Sequence, residues 1–214
     1  SDATLHPIDR FIQARQQALG LTPQPRAPRE VLIRRVYLDL IGVPPTRDEL
    51  RAYLADDSPD AYERVVDRLL SSPMYGQRWG RHWMDVWRYS DWYGLNGSDV
   101  INSRRHIWRW RDWIIESLNA DKPYDRMIVE MLAGDELIPD DPDVLRATGY
   151  LARSYFHFDR NVQMQNTLEH AGKALLGLTL ECCRCHDYNF DPLSQRDYYR
   201  MRAFFEPLDV PPDR

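Results

Sequence analysis

The stretch Arg104-Arg105-His106-Ile107-Trp108-Arg109-Trp110-Arg111-Asp112-Trp113-Ile114-Ile115-Glu116-Ser117-Leu118-Asn119 sets Ile107, Trp110, Ile114 and Leu118 three, four and four residues apart. At that spacing one face of an α-helix returns to the same side. Arg104, Arg105, Arg109 and Arg111 fall between them, so the segment predicts an amphipathic helix with its apolar side buried and its guanidiniums paired outside. Residues 76–90 read the same way: Trp79, His82, Trp83 and Trp87 crowd one helix whose aromatic side needs burial.

Outward from this pair the helical repeat persists. Residues 7–19 carry Ile8, Phe11, Ile12 and Leu19 and stop at Gly20. A second helix follows Pro28, with Val31, Leu32, Val36, Leu38 and Leu40, and ends at Gly42 and Pro44-Pro45. Thr46 and Glu49 match a capping box, and Ser58-Pro59 reads as an N-cap followed by proline at the first helical position. Later helices are expected over residues 124–133, 144–155, 163–185 and 194–205. Neither residues 94–103 nor the acidic loop 135–143 is long or biased enough to divide the chain. The expectation is therefore one all-α domain over residues 1–214, of about nine or ten helices, with its core at about 5–206.

Composition limits the partners. Of 214 residues, 43% are hydrophobic and 29% charged, which suits a globular core rather than disorder. With 28 Lys and Arg against 33 Asp and Glu, the net charge of -5 disfavours a general grip on nucleic acid or on an anionic membrane. The alternation of Arg and Trp near residue 108 is accordingly assigned to ion pairs and core rather than to base stacking. No apolar run reaches the eighteen residues or so of a membrane span. Asp135, Glu136, Asp140, Asp141 and Asp143 lack the spacing and turn glycine of a calcium loop.

The chemistry concentrates in Glu181-Cys182-Cys183-Arg184-Cys185-His186, which holds all three cysteines of the chain. Cys182-x-x-Cys185-His186 is the pattern by which a c-type haem is tethered through two thioethers while the adjacent imidazole binds iron. Two cysteines three positions apart on a helical turn share a face, and the following residue is carried beneath the metal. Other readings use the same atoms. Zinc could take Cys182, Cys185 and His186, although adjacent Cys182 and Cys183 would crowd a tetrahedron. A dithiol redox pair normally sits at a helix N-terminus in a βαβ setting. Buried, inert cysteines are the plainest reading.

Around the motif the chain resembles a family. Gly177-Leu178-Thr179-Leu180-Glu181-Cys182-Cys183-Arg184-Cys185-His186-Asp187, then Phe190-Asp191-Pro192 and Gln195-Arg196-Asp197-Tyr198-Tyr199, resemble the planctomycete cytochrome-like domain. Further matches are His6-Pro7-Ile8-Asp9, Arg34-Arg35-Val36-Tyr37-Leu38-Asp39-Leu40, Trp79-Gly80-Arg81-His82-Trp83, Trp108-Arg109-Trp110-Arg111-Asp112-Trp113 and Asn119-Ala120-Asp121-Lys122-Pro123-Tyr124. The resemblance implies a domain of large exported proteins, named for its Cys-x-x-Cys-His and placed after a small cytochrome c domain. It implies no biochemical role. The family commonly reads His-Asp-His-Lys-Phe-Asp-Pro where this chain has His186-Asp187-Tyr188-Asn189-Phe190-Asp191-Pro192, so any role of that second histidine is absent or altered here.

With His186 as proximal ligand, His82 is the preferred sixth ligand, its alternative being a core histidine held by a hydrogen bond. His170 lies twelve residues before Cys182, about 18 Å along a continuous helix, out of reach unless Gly172 or Gly177 breaks it. His157, Met84, Met127, Met131, Met164 or an open position complete the candidates. Arg81 and Arg184 are candidates for haem propionates, Trp79 and Trp83 for the wall that excludes water, and Asp187 for fixing the His186 tautomer. The leading expectation is a mono-haem c-type cytochrome domain, periplasmic or otherwise exported. It would place one covalent haem c at the end of a late helix and exchange electrons with a neighbouring cytochrome domain or redox partner. A haem enzyme or ligand sensor with an open site, and a structural module with a zinc-bound or empty Cys cluster, are the rivals.

Overall fold

The computed structural model describes residues 6–91, 93–94, 101–102, 106–154 and 159–209. Helix α1 (Pro7–Ala18) has His6 and Pro7 at its start and Gly20, at φ 67, just past its end. Its apolar stripe is present but unburied: Ile8, Phe11, Ile12 and Leu19 are all exposed. Helices α2 (Arg29–Leu40), α3 (Arg47–Ala55) and α4 (Ala61–Leu70) enclose a first core of Ile33, Val36, Tyr37, Tyr53, Val65 and Leu69. The Thr46–Glu49 capping box forms in full: Thr46 Oγ1 accepts from Glu49 N, and the Glu49 carboxylate accepts from Thr46 N at 2.8 Å. The Ser58-Pro59 start is corrected. Helix α4 begins two residues later, because the Asp56 carboxylate takes both the N–H and the hydroxyl of Ser58 and holds it in a turn.

Helix α5 (Pro73–Val86) starts earlier than its glycines suggest, at the Ser72 N-cap, and stops where Arg88 turns left-handed at φ 54. It crosses α6 (Trp108–Asn119) closely. Gly76 and Gly80, one turn apart, admit the α6 backbone: a Cβ on Gly76 would lie 2.4 Å from Ile115 O, and one on Gly80 3.1 Å from Ile115 Cγ1. Asn119 clasps the crossing, accepting from Gly76 N at 2.8 Å and donating to Pro73 O at 3.2 Å. Between them a two-residue antiparallel pairing joins β1 (Tyr93–Gly94) to β2 (Ile101–Asn102). The architecture is all-α.

Helix α7 (Tyr124–Leu137), kinked at Ala133, leads into α8 (Pro142–Leu145), a 3-10 turn (Arg146–Thr148) and α9 (Gly149–Ala152). These short pieces stand where one helix over 144–155 was expected. They pack on α6 and α7 around a second core of Trp87, Trp110, Trp113, Met127, Met131 and Tyr150. The stripe Ile107, Trp110 and Ile114 is buried as its spacing predicts. Helices α10 (Arg160–Ala171) and α11 (Gln195–Phe205) form a third core with Leu168, Leu180, Cys183 and Tyr198, and Phe205 packs on both the second and the third. Among the described residues no helix is long and apolar enough to cross a membrane.

Candidate functional site

The helix expected over 163–185 does not run through. α10 ends at Ala171 and relaxes into a π-helical turn, Gly172–Leu176; Gly177 then adopts φ 66, and Leu178 N–H closes back on Gly172 O at 2.9 Å. The glycines explain the break. Gly177 supplies the left-handed conformation, and a Cβ on Gly172 would lie 2.9 Å from Leu180 Cδ1. The cysteines therefore sit on a separate 3-10 turn, Glu181–Arg184, rather than at the end of a late helix, and Lys173 pairs with Glu181 across the break.

In a 3-10 turn side chains three positions apart eclipse. Cys182 and Cys185 are accordingly both exposed, while Cys183 between them is buried against Leu168, Leu180 and Tyr198. Burial pushes the Cys183 thiol up, away from thiolate, and its Sγ lies 3.8 Å from Leu193 O. The turn is closed by the N–H groups of Cys185 and His186, which both donate to Cys182 O, at 3.1 and 3.2 Å.

His186 is exposed, and its Nδ1 lies 2.7 Å from the backbone oxygen of Asp187. A carbonyl only accepts, so Nδ1 carries the hydrogen and Nε2 of the neutral ring keeps a free lone pair. The Asp187 carboxylate does a different job: it accepts from Gln195 N at 2.7 Å and ties the loop to the start of α11. Arg184 is held by Gln165, and its carbonyl accepts from Gln195 Nε2 at 3.1 Å and Tyr199 Oη at 3.3 Å. Those three anchors carry no sequence signal of their own; they come from α10 and α11, brought together by the break at Gly177. Among the described residues no carboxylate pairs with Arg184.

The other expected site residues lie elsewhere. His82 is exposed rather than buried, its ring 5.4 Å from that of Trp79, which is itself 36% exposed. Arg81 is exposed on the same helix, and Trp83 turns inward, stacking at 5.0 Å on Trp87 and meeting Tyr124 at a tilt, also at 5.0 Å. The principal neighbours of α5 are α6, α2 and α4, whereas that of the Cys turn is α11. The described contacts of His82, Arg81, Trp79 and Trp83 thus lie on other elements than those that hold Cys182, Cys185 and His186. His170 meets its condition, since both glycines break the helix, yet it remains turned away. It is buried against Tyr150, about 200° around α10 from Leu168, which faces Cys183. Met127, Met131 and Met164 are core, and His157 lies outside the described residues. The described residues also hold no group of three or more His, Cys, Asp or Glu able to bind a metal ion.

Fold and site together define an all-α domain with a Cys-x-x-Cys-His turn held at its surface, two thiols outward and one inward. The chain belongs to the PSCyt2 family, described as a protein of unknown function (DUF1549), whose model matches residues 7–210. No curated protein and no solved structure matches it.

Proposed function

We propose that the domain carries one haem c, which the sulfurs of Cys182 and Cys185 and the imidazole of His186 would hold, and that it transfers electrons within or between larger exported proteins. One observation carries the reading. The two motif cysteines and the histidine are exposed on one turn while the third cysteine is withdrawn into the core, which is the donor set that thioether attachment needs. The bound group would supply a one-electron iron couple.

The chain's own residues do the rest. Asp187 O fixes the tautomer that leaves Nε2 free. Gln165, Gln195 and Tyr199 hold the turn through Arg184. Phe190, 87% exposed and in edge contact with Tyr188 at 5.8 Å, leaves a large apolar ring beside the motif, of the kind that sheds water from a porphyrin edge. Thioether attachment is made outside the cytoplasm, which places the domain in the periplasm or another exported compartment. Zinc would need a fourth ligand beside Cys182, Cys185 and His186, and the adjacent thiol, Cys183, is withdrawn into the core.

The test is expression in a host that matures c-type cytochromes. Covalent haem stain on a denaturing gel and a haem absorption spectrum, both lost in Cys182→Ala with Cys185→Ala, are expected. A colourless protein from that host overturns the proposal.

A further inference from the structure

A second concavity, of about 360 Å3, opens between the first turn of α6 and the run from α8 to α9. That is within the range of small-molecule sites, about 300–1,000 Å3. Its floor is apolar: Trp110, which is 1% exposed, with Pro142, Leu145 and Ala152. Its polar lining is His106, Arg109, Arg146 and Thr148, with no carboxylate among the lining residues. Thr148 spends its hydroxyl hydrogen on Leu145 O at 2.8 Å. Arg146 is held from one end, its Nη2 2.5 Å from Glu116 and 3.2 Å from Asp143, while its buried Nε has no acceptor among the described residues. Arg109 has its guanidinium 5.5 Å from the Trp108 ring and no carboxylate partner among the described residues. The first turn of α6 carries no acidic residue, and its N-cap, Ile107, offers no side-chain acceptor, so the positive end of the helix faces the same space.

From this juxtaposition of an apolar floor with a rim of two guanidiniums we infer that the pocket binds a small organic carboxylate. The apolar body would lie on Pro142, Leu145 and Ala152, with Trp110 beneath them, and the anionic end would face the exposed guanidinium of Arg109, with Arg146 behind it. Both halves are required. An inorganic anion would leave the floor uncovered, and a neutral molecule would leave the guanidinium edges unpaired. The site is independent of the Cys turn and of any haem.

Phenylacetate is a suitable probe, titrated calorimetrically into the full chain beside 2-phenylacetamide and inorganic phosphate. Saturable one-site binding of phenylacetate is expected, with the amide about tenfold weaker, the size of one charge-assisted hydrogen bond. Arg109→Gln should weaken phenylacetate and leave the amide unchanged, and Ala152→Leu should abolish both by filling the floor. Arg109 is exposed, so its variant decides the matter even where Ala152→Leu fails to fold. No saturable binding, equal binding of acid and amide, phosphate binding as tightly as phenylacetate, or no effect of Arg109→Gln would each overturn the inference.

Discussion

His170 stacks on Tyr150 with ring centroids 6.1 Å apart and planes 19° from parallel, and neither His170 Nε2 nor Tyr150 Oη finds a partner among the described residues. The rings join α10 to the tryptophan core, since Tyr150 in turn meets Trp110 edge-on at 5.9 Å. An imidazole there is neutral. Burial, then the Arg88 charge, pull its pKa from 6.5 down to about 4; a bond to the Trp87 backbone opposes them, and Arg153 and Lys173 add to the lowering.

Protonation of His170 therefore favours the unfolded chain. Above pH 6.5 neither state is charged and the residue contributes no pH dependence. Between pH 6.5 and about 4 the unfolded state takes up the proton and the folded state does not, so stability falls as the pH drops. The loss is on the order of 3 kcal/mol at most. Glu49 and Asp56, held down to about 2 in the folded chain, add their own loss only as the pH falls through their ordinary values of 4.5 and 3.8, at the lower edge of this window. Urea midpoints from pH 7 to pH 4.5 should fall for the wild type and fall much less for His170→Phe. Equal slopes for the two would remove His170 as the cause.

The crossing of α5 over α6 makes a prediction about glycines. A Cβ on Gly149 would lie 2.5 Å from Trp110 Cβ, and one on Gly76 2.4 Å from a backbone oxygen; neither obstacle is the end of a flexible side chain. Gly149→Ala and Gly76→Ala should each cost about 1–3 kcal/mol through overpacking. Gly80→Ala meets Ile115 Cγ1 at 3.1 Å, with Ile114 Cγ2 and Leu118 Cδ1 at an ordinary 3.8 Å, and the better helix propensity of alanine, about 1 kcal/mol, offsets the closer contact. Thermal melts should rank Gly80→Ala close to wild type and the other two well below it.

These glycines also mark where the sequence was readable and where it was not. The stripe Ile107, Trp110 and Ile114 and the Thr46 capping box depend on residues within one or two turns, so local spacing predicts them. Burial on α1 and around His82 depends on whether another element arrives to cover the face. Periodicity proposes a stripe at Ile8 and Phe11, yet both are exposed and no described element covers them. The break before the cysteines was visible as Gly172 and Gly177, but a helical reading of 163–185 tolerates two glycines at about 1 kcal/mol each. The return of Leu180 onto the space a Gly172 side chain would take is a tertiary contact that local spacing does not show. The Cys-x-x-Cys-His motif is local and legible; Gln165, nineteen residues from Arg184, is not.

Glu130 is the most buried carboxylate among the described residues, 4% exposed, and accepts from Lys122 Nζ at 2.6 Å and Arg126 Nε at 2.8 Å. Burial alone would raise its pKa, but the hydrogen bonds and charges of Lys122 and Arg126 outweigh it and bring the net shift below the ordinary value. Lys122 Nζ also sits 5.0 Å from the Trp113 ring centroid. Removing Lys122 leaves the buried carboxylate with Arg126 alone, so Lys122→Met should cost about 2 kcal/mol. Glu130→Gln, which keeps an acceptor and removes the charge, should cost less. Denaturant unfolding with an unchanged slope checks the order, and a smaller loss for Lys122→Met than for Glu130→Gln would contradict it.

The division of the three cysteines is testable without any haem. In protein from a host that cannot attach haem, Cys182 and Cys185 are exposed and Cys183 lies beneath them with no exposed surface. A thiol reagent reaches only thiolate that it can touch, and Cys183 is both covered and pushed toward the thiol form. Two fast-reacting thiols are expected at pH 8, with the third appearing only as the chain unfolds. Cys182→Ser with Cys185→Ser should leave no fast thiol, and Cys183→Ala should leave both. Cys183→Ser, which buries a hydroxyl among Leu168, Leu180 and Tyr198, should cost about 1–3 kcal/mol. A fast-reacting Cys183 would mean that the turn faces the other way, and with it the surface on which the proposed haem is held.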